Sequence, residues 1–181
     1  MALILLLRHT RPAAADGRCY GRTDLAPGPD LPVAARAIAR RLGPIDRIVS
    51  SPLLRCRRLA SLLARRLRVP LRLDPDWREL DFGAWEGLPW EAVPRAELDA
   101  WAADLLHARP HRGESVAMLL ARTRRALGRL RATRGRTLAV THAGPIRAAL
   151  FAASGRAEAW QRPVAFGEIV RIDAARPLAG A

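Results

Sequence analysis

The stretch Leu3-Ile4-Leu5-Leu6-Leu7-Arg8-His9-Thr10 limits what this chain can become. Five apolar residues in succession, without polar alternation, fit a strand buried on both faces, as an inner strand of a parallel sheet is. Such a sheet needs crossover helices on its two sides. The run stops on an arginine and a histidine. In open α/β sheets ligands collect beyond the carboxyl ends of the strands, so Arg8 and His9 arrive where this class of fold does chemistry. Arginine presents a planar fork that suits phosphate. Histidine serves as nucleophile, base or acid near neutral pH. Read alone, the pair is equally a polar cap on a strand.

The segment that follows, residues 11–25, has Pro and Gly punctuation and no period. It reads as an ordered loop folding over His9, with Gly21 either close to a ligand or in an ordinary turn. Asp30 is expected to cap a helix with Pro32 in its first turn, and Gly43-Pro44 to end it. Residues 47–50 read as a second strand. Ser51-Pro52 is expected to open the next helix, with Ser51 as its cap, so that Arg55 lies in or near a first turn whose free N–H groups favour anions. Arg57 and Arg58 read as solvated. Residues 70–74 read as an outer strand. Residues 77–87 mix acidic residues, tryptophans and glycines without a period, which marks a second functional loop. Helices are expected over about residues 95–107 and 114–131, with His107 and His111 on the surface. Residues 136–142 form another buried strand that ends in a histidine, followed by a helix with Pro145 in its first turn. Residues 168–173 alternate apolar and charged side chains, as an edge strand does.

The length of 181 residues suits one domain, residues 1–181. No apolar run approaches the ~20 residues of a membrane span, and no charged region precedes the first run as in a secretory signal, so a cytoplasmic protein is expected. Cys19 and Cys56 lack metal-site spacing and read as free thiols. The net charge of +14 comes from 31 basic residues that are all arginine. They are mixed with alanines and prolines and spread along helices, which reads as compositional bias. Neither a nucleic-acid nor a membrane partner is expected, although a positive field would draw a phosphorylated substrate towards a cleft. The oligomeric state is not readable.

Two strands thus end in histidine, at His9 and His142, and a third leads into a helix start holding Arg55. Were these strands neighbours, Arg8, His9, Arg55 and His142 would share one anion pocket, and the loop around Glu79 could supply an acid. The segments Arg8-His9-Thr10, Ser50-Ser51-Pro52-Leu53-Leu54-Arg55-Cys56, Arg78-Glu79-Leu80-Asp81-Phe82-Gly83-Ala84-Trp85-Glu86-Gly87, Gly113-Glu114-Ser115 and Val140-Thr141-His142-Ala143-Gly144 resemble the motifs of the histidine phosphatase superfamily, in its phosphoglycerate-mutase-like branch. They occur in the family's order across nearly the whole chain. Residues 17–24 resemble the loop of alpha-ribazole phosphatases of cobalamin biosynthesis. One departure stands out: Thr10 occupies a position that many members fill with Gly, and the Asn that helps them hold phosphate has no counterpart.

The resemblance implies a three-layer α/β/α sandwich on a mostly parallel sheet with an antiparallel edge strand. It implies a metal-independent phosphomonoesterase, without cofactor, acting on a small-molecule phosphomonoester. His9 would attack phosphorus and form a phosphohistidine. Arg8, Arg55 and a protonated His142 would stabilise the transferring group, with Thr10, Gly21 and Ala143 as further substrate contacts. Glu79 would protonate the leaving oxygen; Glu86 and Asp81 in the same loop are alternatives. Alpha-ribazole 5'-phosphate is the expected substrate. A phosphoglycerate mutase, a broad-specificity sugar or nucleotide phosphatase, and a non-enzymatic phosphate- or nucleic-acid-binding basic domain are the alternatives. Trp77, Trp85, Trp90 and Trp101 could stack a substrate base or simply pack.

Overall fold

The computed structural model describes residues 2–13 and 15–173; the last eight residues of the expected domain lie outside these. Strands β1 (Ala2–Arg8), β2 (Arg47–Ser50), β3 (Leu71–Leu73), β4 (Gly135–Thr141) and β5 (Ile169–Ile172) form one sheet in the order β3-β2-β4-β1-β5. The first four are parallel and β5 runs antiparallel along the edge of β1. Helices α1 (Leu31–Leu42) and α2 (Leu54–Leu67) cover one face. Helices α4 (Val116–Arg131) and α5 (Ala143–Ser154) cover the other, and α3 (Arg95–Ala103) lies beyond the second loop.

The unbroken apolar run of β1 serves two cores at once. Leu5 and Leu7 pack with α1 and α2, while Ile4 and Leu6 pack with α4 and α5. Period two persists in the strand, but both faces are dry, so the sequence shows no alternation.

The sheet register sets the site. Arg8 pairs with Thr141 and Ser50 with Val140. The ladder continues one step, from the His9 N–H to the Thr141 carbonyl at 2.9 Å and from the Ser51 N–H to the Val140 carbonyl at 2.9 Å. His9, His142 and Ser51 therefore leave three neighbouring strands side by side. The strands that lead into them, β1, β4 and β2, are neighbours in the sheet.

Two helix boundaries and one cap differ from expectation. Helix α2 begins at Leu54, three residues after Ser51, because Asp24 from the first loop supplies the cap: its Oδ1 accepts the Leu54 N–H at 2.5 Å. Asp30 sits at the start of α1 with its backbone already helical (φ −74°, ψ −3°), and its carboxylate makes no capping bond. A capping side chain reaches back only from an extended residue. Helix α3 stops at Ala103, where the Asp104 carboxylate accepts the His107 N–H at 3.1 Å and competes with the helical ladder. Ser115 caps α4 by accepting the Met118 N–H at 3.2 Å.

Candidate active site

His9 ends β1 and is buried. Its Nδ1 donates to the Thr10 carbonyl at 2.7 Å, which leaves Nε2 with its lone pair free. Burial, and then the Arg55 and Arg8 charges, hold its pKa down to about 3. The ring is thus a neutral, oriented imidazole across the physiological range.

His142 stands beside it, ring centroids 5.0 Å apart and planes at 66°. It is fully buried at the N-terminus of α5, with Ser51 Oγ 2.9 Å and Cys56 Sγ 3.4 Å from its Nε2. Burial, then Arg55 and His9, push its pKa well below the ordinary value. In the free protein His142 is therefore neutral, and the protonated form expected of it belongs with a bound phosphate dianion.

Arg8 donates to the Val164 carbonyl and lies 3.8 Å above the Phe166 ring, which also flanks His9 at 5.5 Å. Arg55 is buried, and its Nη1 and Nη2 donate to the carbonyls of Thr23 (2.7 Å) and Gly21 (2.6 Å). It ties the first loop down over the strand ends. Tyr20 is part of that tie, its ring 5.3 Å from the Arg55 guanidinium carbon.

Among the buried side-chain polar atoms without a hydrogen-bond partner in the described residues are Arg8 Nε, Arg55 Nε and Thr10 Oγ1. All three belong to residues assigned to phosphate from the sequence. Burying a donor unpaired costs about 1–3 kcal/mol, a cost that a bound oxyanion would offset. Ala143 opens α5, where the first N–H groups lack partners within the helix.

The second loop resolves its own carboxylates by geometry. Glu79 reaches the strand ends: its Oε2 accepts the Gly144 N–H at 3.2 Å, one residue from Ala143. Glu86 faces the other way and staples the first loop, accepting N–H groups of Gly21 (3.0 Å), Arg22 (2.8 Å) and Thr23 (2.9 Å). Burial pushes its carboxyl up, but these bonds outweigh burial and hold it low. Asp81 accepts the Gly83 N–H at 2.9 Å within its own turn. Glu79 alone of the three touches α5 beside His142.

Gly21 owes its identity to loop packing. A Cβ there would stand 1.7 Å from the Leu80 carbonyl oxygen. His111, expected on the surface, is fully buried; His107 is exposed. The His111 Nδ1 accepts the Gly113 N–H at 2.9 Å, and its carbonyl accepts the Ala84 N–H at 2.8 Å. Its ring sits among Phe82, Trp85 and Trp101. Those contacts commit the tryptophans to packing: Trp77 and Trp85 are buried, and Trp85 Nε1 donates to Glu97 at 2.6 Å. Trp90, 40% exposed, still packs on Phe82 and Trp85.

Sequence reasoning missed Tyr20, Ser51 as a partner of His142, and Phe166, which no pattern marks. It also missed Arg122. That buried side chain grips Glu114 at 2.7 Å and 2.8 Å, and donates to the carbonyls of Asp76, Arg78 and Glu79 at 2.6–2.9 Å. It holds the backbone on which Glu79 stands.

The comparisons with known proteins agree with this geometry. The family model of the histidine phosphatase superfamily (branch 1) matches residues 4–176. The chain is 40% identical over 168 residues to the bifunctional protein Rv2228c of Mycobacterium tuberculosis, covering 84% of this chain and 45% of that protein. It therefore spans about half the length of the curated relatives it matches. It is 31% identical over 93 residues to the adenosylcobalamin/alpha-ribazole phosphatase of Salmonella typhimurium, half of this chain and 46% of that one. Among solved structures, the mycobacterial glucosyl-3-phosphoglycerate phosphatase Rv2419c superposes with a TM-score of 0.83 at 27% identity, over 96% of this chain and 90% of that one. With its motifs in place and the family model matching nearly its whole length, the chain belongs to the histidine phosphatase superfamily, branch 1.

Proposed function

We propose that this protein hydrolyses a small-molecule phosphomonoester through a phosphohistidine on His9. The observation that carries the reading is the convergence of a neutral His9, its Nε2 free, with the unpaired Nε atoms of Arg8 and Arg55 and the ring of His142. His9 Nε2 attacks phosphorus, and the bond from phosphorus to the leaving oxygen breaks. That oxygen takes a proton from Glu79. Water then attacks phosphorus as Glu79 takes a proton from it, the P–Nε2 bond breaks, and inorganic phosphate leaves with His9 restored. The transferring group spreads charge over its equatorial oxygens, so fixed guanidinium donors supply most of the catalysis. Thr10 Oγ1 and the first N–H groups of α5 at Ala143 add donors. Neutral imidazole is the reactive form of the nucleophile, which the low pKa of His9 provides.

The finer assignment is alpha-ribazole 5'-phosphate. It rests on the loop of residues 17–24 and on the partial match to the Salmonella enzyme. A panel of phosphomonoesters including alpha-ribazole phosphate tests it: the assignment requires the highest kcat/KM on that compound. Product analysis with 3-phosphoglycerate identifies a mutase, which returns 2-phosphoglycerate where a phosphatase releases phosphate. For the chemistry itself, His9→Ala should lower p-nitrophenyl phosphate hydrolysis by at least ~10³-fold, as removal of a covalent nucleophile does. Undiminished hydrolysis would remove His9 from the mechanism. Glu79→Gln should slow alkyl phosphates far more than p-nitrophenyl phosphate, because a good leaving group needs little protonation. Equal slowing would place the acid elsewhere.

A further inference from the structure

The sequence spreads its arginines over the whole chain, and the fold gathers one set of them. Between Leu31 and Leu73 stand 11 arginines and a single acidic residue, Asp46. Between Asp74 and Glu114 the balance reverses, with ten acidic residues and four arginines. The first stretch builds the α1–α2 layer. Arg36, Arg40 and Arg41 on α1 are exposed, as are Arg57, Arg58, Arg65 and Arg66 on α2. None of the seven makes an ion pair or side-chain hydrogen bond among the described residues. The opposite layer differs. There Arg122 pairs with Glu114, Arg125 with Asp76, and Arg129 with Asp74 and Asp76. A uniform compositional bias towards arginine would leave both layers alike. In one layer three arginines of α4 are ion-paired; in the other none of the seven exposed arginines is.

We propose that the α1–α2 face binds the phosphate backbone of double-stranded nucleic acid, without sequence preference. Guanidinium forks match phosphate oxygens in pairs. Rows at i, i+4 and i, i+7 repeat about every 6 and 10 Å along a helix axis, spacings that meet successive phosphates of a duplex. Residues 31–73 contain no aromatic residue, so this face cannot stack unpaired bases as single-strand binders do. Its apolar side chains are turned into the core, Val33 being the exposed exception, so it lacks the apolar stripe with which amphipathic helices enter a lipid surface. The proposal stands apart from the phosphatase reading, since none of the seven arginines belongs to the catalytic pocket.

The test uses the full chain and a fluorescein-labelled 20-base-pair DNA duplex, followed by anisotropy from 25 to 200 mM salt. The expected plot of log Kd against log salt is linear and steep. The quadruple variant Arg36→Gln, Arg40→Gln, Arg65→Gln, Arg66→Gln should bind at least ~10-fold more weakly, with the slope reduced by roughly 3 to 4, about 0.9 per lost phosphate contact. Its p-nitrophenyl phosphate hydrolysis and thermal midpoint should match wild type. A control with Arg95→Gln, Arg125→Gln and Arg156→Gln removes ion-paired arginines elsewhere on the surface and should bind as wild type. Three results overturn the proposal: no binding at 25 mM salt; equal weakening in the control, which would mean net charge alone; or variant-sensitive binding to vesicles with 30% anionic lipid and none to the duplex.

Discussion

His9 and His142 show how identical side chains are set to one state by different neighbours. His9 is fixed by its own backbone through the Thr10 carbonyl, and His142 by Ser51 from the adjacent strand. Both are neutral in the free protein because burial beside Arg55 penalises the imidazolium. With p-nitrophenyl phosphate, kcat/KM should therefore show no limb from His9 between pH 6 and 8. A midpoint near 6.5 would show that His9 titrates as an exposed histidine does. Ser51→Ala should lower kcat about 10- to 100-fold with little change in thermal midpoint, since misplacing one oriented group costs that much. Ser51→Thr should recover part of the loss. Unchanged kcat in Ser51→Ala would mean that packing alone orients His142.

At the scale of elements, the two long loops are built as a pair. Glu86 of the second binds three consecutive N–H groups of the first, and Arg55 binds two of its carbonyls. The second loop in turn hangs on Arg122 of α4. Arg122→Met leaves buried Glu114 with only the 3.7 Å ion pair to Arg22 and the Asp81 N–H at 3.4 Å, which should cost about 3–5 kcal/mol. That corresponds to a fall of roughly 6–20 °C in thermal midpoint for a chain of this size. The same variant should lose more activity on alkyl phosphates than on p-nitrophenyl phosphate, because Glu79 loses its platform. A thermal midpoint within 2 °C of wild type would refute this account of Arg122. Gly21→Ala should disrupt the loop pair directly, as its Cβ would meet the Leu80 carbonyl.

Across the whole molecule, three histidines are buried with lowered pKa values: His9, His111 and His142. For each, burial is the largest cause. The unfolded chain binds protons on them near pH 6.5 while the folded chain does not, so stability is full above about pH 7 and falls as the pH drops through 6.5. Each adds up to ~1.4 kcal/mol per pH unit in that window. The carboxylates with lowered values, Asp76, Glu86 and Glu168, contribute stability that is present at neutral pH and is lost only as the pH falls through and below their ordinary range. Urea unfolding at pH 7.5, 6.5 and 5.5 should show the loss, and His111→Gln should flatten its slope. Equal stability at the three values would mean that these rings take up protons without unfolding. No helix among the described residues is long and apolar enough to cross a membrane.

Much of this was legible because strand ends announce themselves. An apolar run that halts on Arg8-His9, and another that halts on Thr141-His142, needed only a parallel sheet to bring them together, and hydrophobic pattern dictates such a sheet. Helix α1, the edge strand β5 and the position of Arg55 followed from the same local rules. What stayed hidden depends on partners distant in sequence. Asp24 displaces Ser51 as the cap of α2, Leu80 explains Gly21, three aromatic rings bury His111, and Arg122 carries the backbone of Glu79. Local periodicity encodes which side of an element is dry, and so it fixes elements, layers and the types of residue at the strand ends. It carries no information on which of several like groups, Glu79 or Glu86, will face the strand ends and which the neighbouring loop. Nor does it say that helices far apart in charge balance will turn their bare arginines onto one layer. Those choices are made when loops and helices meet in three dimensions, where hydrogen-bond satisfaction and burial act between residues the sequence keeps apart.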